Sequence, residues 1–238
     1  MPNNYFQFKQ FTIHQDNCAM KVCTDACLFG AYIANELQTN TVKNILDIGT
    51  GTAILSLLLA QKTAAAIDAV EIDSAAFTQA KKNIEQAGFA AKITVFNVDI
   101  LNFTTSKKYD YIISNPPFFE SDLKSEDDKK NSAKHDTSLT LVELLHSINL
   151  HLSADGVFAV LVPYHRSDYF EAAAEKINFY LNKKIGVKQT PEHNYFRTIF
   201  IFSRKKNTAE EEELIIKNEE GNYSAEFIRL LKDYYLYL

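Results

Sequence analysis

From Val42 onward, short apolar runs alternate with stretches of helical period, and this alternation limits how the chain can fold more than any other feature. Parallel strands cannot be joined by tight turns, so each intervening helix serves as a crossover and the product is a mostly parallel sheet covered on both faces. The pattern predicts strands near 43–48, 67–72, 92–97, 109–114, 156–162, 184–190 and 196–204, and helices near 53–62, 74–87, 138–152 and 167–180. The last two strands, joined through Thr190-Pro191-Glu192-His193-Asn194, read as antiparallel neighbours. The expected fold is therefore α/β, a seven-stranded sheet with one antiparallel strand and helices on both faces.

Ahead of this region, residues 5–14 alternate with period two through Phe6, Phe8, Phe11 and Ile13, which predicts a short hairpin. A helix over 25–37 follows, with Thr24 or Asp25 as its N-cap. We read 1–40 as an N-terminal extension and 41–238 as the core of one domain, because 238 residues with only 7 Gly and 5 Pro contain no linker. Residues 119–137, rich in Lys, Asp, Glu and Ser, lack a hydrophobic period and read as a mobile loop that touches substrate. Glu210–Glu213 reads as a solvated turn, and Asn222-Tyr223-Ser224 as the cap of a helix over 225–238 that packs through Phe227, Leu230, Leu231, Tyr234 and Tyr235.

Chemistry is expected where the strands end. The run Tyr111-Ile112-Ile113-Ser114 stops at Asn115-Pro116-Pro117-Phe118, and a proline pair donates no ladder hydrogen bonds, so it lies beyond the strand. An exocyclic or amide nitrogen is a poor nucleophile because its lone pair is delocalised. The Asn115 carboxamide oxygen and the Pro116 carbonyl can each accept one amine hydrogen and aim that lone pair at an electrophile. Pro117 stiffens the carbonyl, and Phe118 offers a flat face for a base.

A second strand, Asn44-Ile45-Leu46-Asp47-Ile48, runs into Gly49-Thr50-Gly51 and a helix. Dinucleotide folds seat pyrophosphate on a related turn, but the third glycine is absent and the anionic Asp47 repels phosphate. A cationic ligand suits it better, and S-adenosylmethionine carries both a sulfonium and an α-ammonium. Glu71, ending the next strand with Ile72 beside it, is placed for ribose hydroxyls, and Asp99, with Ile100 beside it, for the adenine amine. Asp47, Glu71, Asp99 and Asn115 at four strand ends form a methyl-transfer constellation.

These residues resemble a known group. Asp47-Ile-Gly-Thr-Gly and Asn115-Pro-Pro-Phe are similar to motifs of class I S-adenosylmethionine-dependent methyltransferases with a Rossmann-like fold, in the branch that methylates exocyclic or amide nitrogens. The head, Phe11 through Asp25, and the tail, Asn222-Tyr-Ser to Tyr234-Tyr-Leu-Tyr-Leu238, resemble the bacterial tRNA1(Val) adenine-37 N-6-methyltransferase family over essentially the whole chain. The resemblance implies a partner, the anticodon loop of a valine tRNA, with the adenine just 3′ of the anticodon as target. It also adds Lys21 and Thr24 to Asp47, Gly49, Thr50, Gly51, Glu71, Ile72, Asp99, Ile100 and Asn115 as cofactor-binding residues. The sequence departs from the family pattern at Phe118, where Tyr is common, at Cys23 and Ala26, where glycines are usual, and at Ala133-Lys134 in place of Ala-Arg.

A net charge of −5 argues against sequence-blind coating of nucleic acid but leaves room for local basic contacts. Lys21, Lys124, Lys129, Lys130, Lys134, Arg166 and Arg204-Lys205-Lys206 are the candidates. The histidines His14, His135, His146, His151, His165 and His193 show no zinc spacing, and no metal is expected. Cys18, Cys23 and Cys27 read as reduced core thiols. No signal pattern and no run of roughly 18 apolar residues is present, so a cytoplasmic protein away from membranes is expected. Two rival functions remain open at this point: a nitrogen methyltransferase acting on ribosomal RNA guanine or a release-factor glutamine, and a catalytically silent RNA-binding module.

Overall fold

A computed structural model describes residues 3–16, 21–38, 41–116 and 139–238. The expected loop 119–137, with Pro117, Phe118, Cys18 and the lysines at 124–134, lies outside the described residues.

Short strands β1 (Tyr5–Gln7) and β2 (Thr12–His14) form an antiparallel hairpin, followed by helix α1 (Thr24–Leu37). Then come β3 (Asn44–Ile48), α2 (Ile54–Lys62), β4 (Ala66–Glu71), α3 (Ser74–Gln86), β5 (Ile93–Asn97) and β6 (Tyr109–Ser114). After the undescribed stretch follow α4 (Leu141–His151), β7 (Leu152–Pro163), α5 (Ser167–Lys176), β8 (Tyr180–Lys188), β9 (Tyr195–Ser203), β10 (Glu210–Ile215) and α6 (Ala225–Leu231). The sheet order is β10-β8-β9-β7-β6-β3-β4-β5, with β9 antiparallel to both of its neighbours and the other pairings parallel.

The seven expected strands are all present, and β10 is an eighth. Glu210–Glu213, expected as a turn, pairs with Lys183–Gly186 of β8 at the sheet edge. Four successive acidic residues mask any period, yet charge is what an edge strand needs to resist pairing with other chains. Helices α5 and α6 stop earlier than the sequence predicts, at Lys176 and Leu231. The N-cap of α1 is Cys23, without a side-chain bond, rather than Thr24 or Asp25. Cys23 is exposed, and only Cys27 of the described cysteines is a core thiol.

Period-two alternation along the central strands divides the core in two. Ile45, Ile67, Ile113 and Leu161 face one side with α1, α2, α3 and α6, whereas Leu46, Val70, Ile112 and Val162 face the other with α4 and α5. Helix α2 is buried from Ile54 to Ala60 because it lies between α1 and the sheet. The chain ends meet: Phe8 bridges Tyr235, Lys9 N–H donates to the Tyr234 carbonyl, and Phe6, Phe8, Phe227 and Tyr235 form one aromatic cluster. The head and tail resemblance therefore falls on segments that touch each other.

Candidate active site

The register of the sheet brings the strand-end site residues Asp47, Glu71 and Asn115 to one edge. Ile48 pairs with Ser114 on one side and Val70 on the other, and Glu71 pairs with Asn97. Gly49 and Asn115 thus follow adjacent partners on neighbouring strands, about 5 Å apart across the ladder. The Ser114 hydroxyl donates to the Ile48 carbonyl at 2.9 Å, tying the two strand ends together where the glycine turn and the proline motif begin.

The glycine turn is built by backbone conformation and by a carboxylate. Gly49 and Gly51 have φ of 72° and 57°, a region disfavoured for side chains, and an added Cβ at either would meet no protein atom within 4 Å. The turn is therefore open where a ligand can approach its backbone. Ala53 closes it at φ 66°, a non-glycine residue held in the same strained region at the start of α2. Gly51→Ala is expected to cost about 1–2 kcal/mol of stability in denaturant titration. Its cofactor affinity should fall further than that, because the new methyl projects into the open space.

Asp47 is fully buried. Its Oδ2 accepts from the Thr50 hydroxyl at 2.6 Å and the Ser56 hydroxyl at 2.7 Å, while Oδ1 has no partner. Burial raises its pKa from 3.8 to about 6 against the lowering effect of these two bonds, and Glu71 adds a small upward push. A buried carboxylate oxygen without a donor is costly in isolation, and it matches a ligand that brings a cation. The residues present fit S-adenosylmethionine: Asp47 would take its ammonium and the glycine turn would lie against it.

Glu71 is also buried and is occupied by backbone. Its Oε2 accepts from Gly51 N–H at 2.8 Å and its Oε1 from Asp73 N–H at 2.9 Å. It shapes the glycine turn as well as standing where ribose is expected. Each carboxylate oxygen has two lone pairs, so one acceptor position per oxygen is left for a hydroxyl. The Asn97 amide donates to the Glu71 and Ile72 carbonyls, and Ile72 is left 56% exposed, an apolar platform at the same edge. Asp99 caps the short 3-10 turn Ile100–Asn102 through Leu101 N–H, with Ile100 buried beneath it.

Asn115 is half-buried and Pro116 buried, directly beyond β6. Lys21 and Thr24 are exposed beside the start of α1, and Asp25 pins that start to β9 through Arg197 Nε at 2.8 Å. Arg197 pairs with Pro163 at the end of β7, so the head of α1 sits at the same sheet edge as Asn115. Arg166 lies just beyond Pro163, also at this edge, its guanidinium 4.9 Å from the Tyr169 ring centre. The structure separates Arg204-Lys205-Lys206 from these residues. They follow Ser203, which pairs with Val157 at the other end of the β7–β9 ladder, roughly 20 Å along the strand direction.

Two residues that shape the site carry no signal in the sequence that we read as functional. Ser56 is a lone hydroxyl within the apolar run of α2, nine residues after the carboxylate it serves. Asn83 is fully buried in α3, where its amide holds the His14 backbone by N–H and carbonyl and also donates to the Thr52 carbonyl, fastening the N-terminal hairpin to the glycine turn. Among the described residues, no group of three or more His, Cys, Asp or Glu is placed to hold a metal ion, and no helix is long and apolar enough to cross a membrane.

Residues 29–175 match the family model described as the methyltransferase small domain. The chain is 44% identical to a tRNA1(Val) (adenine(37)-N6)-methyltransferase of Dyadobacter fermentans, with 99% of each chain covered. It is 39% identical to the protein of the same name in Bacteroides fragilis, again with 99% of each covered. A predicted O-methyltransferase from Agrobacterium tumefaciens shares the fold with a TM-score of 0.67 at 14% identity, covering 87% of this chain and 95% of that one.

Proposed function

Because the chain belongs to the tRNA1(Val) (adenine(37)-N6)-methyltransferase family, we propose that it methylates the exocyclic N6 of adenine 37 in a valine tRNA, using S-adenosylmethionine. The observation that carries this reading beyond the family is the shared edge, where a buried carboxylate with one unpartnered oxygen and an asparagine followed by proline lie at the ends of adjacent strands. When bound, S-adenosylmethionine supplies an electrophilic methyl group on a sulfonium. Asp47 would hold its ammonium, Glu71 its ribose, and Asp99 the amine of its adenine, with Lys21, Thr24, Gly49, Thr50, Gly51, Ile72 and Ile100 around them.

The chain's own contribution to chemistry is orientation. Asn115 Oδ1 and the Pro116 carbonyl accept the two N6 hydrogens and localise the nitrogen lone pair, and Phe118 would stack on the base. An anticodon-loop base is already unpaired, so drawing it out costs less than flipping one from a duplex. The attacked amine becomes strongly acidic as its new bond forms, and its proton is lost to water without a dedicated base. The cytoplasm, where tRNA is modified, is the proposed location, and 1–238 the proposed single catalytic domain.

The test is to incubate the protein with bulk tRNA and methyl-labelled cofactor and map the label. We expect N6-methyladenosine at position 37 of a valine tRNA. Label in ribosomal RNA guanine or on a release-factor glutamine would transfer the chemistry to one of the rivals. Absence of cofactor binding in calorimetry would leave only a silent RNA-binding module.

A further inference from the structure

Apart from Lys21 and Thr24 at the head of α1, the cofactor residues proposed above lie on or just beyond β3, β4 and β5, and these strands occupy one side of β6. A polynucleotide whose adenine reaches Asn115 can then run flanking nucleotides over the other side, across the ends of β7 and β9. Two tyrosines meet there. Tyr164 follows Pro163 at the end of β7, is 44% exposed, and lies 5.1 Å from the Tyr195 ring at 34° between planes.

Tyr195 is held from three directions. Its hydroxyl donates to Glu213 at 2.6 Å, the Lys188 ammonium stands 4.6 Å from its ring centre, and the ring lies over Gly186, where a Cβ would come within 2.5 Å of it. Lys188 is itself paired with Glu213 at 2.8 Å. With that cation neutralised, the patch offers a ring face rather than net positive charge, which suits a base and not a phosphate. Ser114 pairs with Val160, which sets Asn115 level with Leu161 and places Tyr164 three residues further along. That is about 10 Å along the strand and 5 Å across, a span of about two or three nucleotides.

Resting on the tRNA reading above, we propose that Tyr164, backed by the fixed ring of Tyr195, is a stacking platform for an anticodon-loop base flanking the target adenine. Stacking on an aromatic face is the usual way single-stranded RNA is held, and it tolerates any base. Tyr164 is a positioning residue and takes no part in the transfer itself.

The experiment uses full-length protein, S-adenosylmethionine and a valine tRNA transcript. Tyr164→Ala is expected to raise the KM for tRNA by roughly 5- to 150-fold, the range that losing one stacked base gives. At saturating tRNA, kcat should stay within about threefold, and cofactor affinity and melting temperature should be unchanged because the side chain is exposed. Tyr164→Phe should restore wild-type KM, since the face and not the hydroxyl does the holding. Gly186→Ala, which displaces the Tyr195 ring from beneath, should shift KM in the same direction. With 2-aminopurine replacing in turn the nucleotides one to three positions either side of the target, wild-type protein should quench its fluorescence at one position and Tyr164→Ala should not. An unchanged KM together with unchanged quenching in Tyr164→Ala overturns the platform, whether or not another molecule uses this surface. If wild-type protein leaves the tRNA unmethylated, it is the underlying function that fails.

Discussion

Replacing Asn115 with alanine is expected to lower the single-turnover rate by about 10²–10³ while leaving cofactor affinity nearly intact. The carboxamide oxygen is one of two acceptors proposed to localise the lone pair of N6. Its removal leaves the amine free to rotate back toward conjugation with the ring. The second acceptor is the backbone carbonyl of Pro116, which no side-chain substitution removes, so residual activity should remain above background. Cofactor affinity is spared because the groups proposed to hold it, Asp47 and Glu71, are fixed by Thr50, Ser56, Gly51 and Asp73 rather than by Asn115. Stability should be little affected, since Asn115 is half-buried beyond the end of β6. Asn115→Asp, which keeps an acceptor at the same place, should lose less than alanine does. A turnover rate equal to wild type in Asn115→Ala, with cofactor and tRNA both saturating, would remove the residue from the chemistry.

What could be read from the sequence follows a physical line. The central strands were legible because they are buried on both faces, and continuous apolar runs such as Tyr111–Ile113 record that burial directly. Strand ends were legible for the same reason: the runs stop at Asp47, Glu71 and Asn115, and an open parallel sheet binds its ligands at those ends. Contacts between distant segments left no local trace. Asp25 looked like a helix cap but is committed to Arg197, 172 residues away. Asn83 is one polar residue within the predicted helix 74–87, and nothing in its spacing marks that it fastens β2 to the glycine turn. Glu210–Glu213 looked solvated because its partners are lysines on another strand: Lys183 meets Glu210 and Glu212, and Lys188 meets Glu213. Even Glu71, correctly placed at a strand end, supports the turn through Gly51 in a way that its spacing from the glycines does not reveal.

Asp47→Asn should separate stability from function with opposite signs. In the wild-type protein the folded-state pKa of Asp47 is raised from 3.8 to about 6, chiefly by burial. A carboxyl group raised in this way favours the fold when protonated. Its contribution is fully present below pH 3.8 and is lost as pH rises through about 6, a change of about 3 kcal/mol. The amide does not titrate. Between pH 4 and pH 7 the apo wild-type protein should therefore lose about 2 kcal/mol relative to the Asn variant in parallel denaturant titrations. Any constant offset from burying the amide nitrogen where Oδ1 stood leaves that slope untouched. Cofactor affinity should move the other way. The charge that burdens the empty site is the one proposed to receive the ammonium, so wild-type affinity should strengthen as pH rises through 6 while the variant's stays flat. At pH 7 the variant should bind more weakly by about 2–4 kcal/mol, roughly 30- to 1,000-fold in Kd. Equal cofactor affinity in the two proteins across this range would mean that the unpartnered Oδ1 serves something other than the ligand's cation. A pH-independent stability difference would mean that burial does not hold the folded-state pKa of Asp47 above its unfolded value.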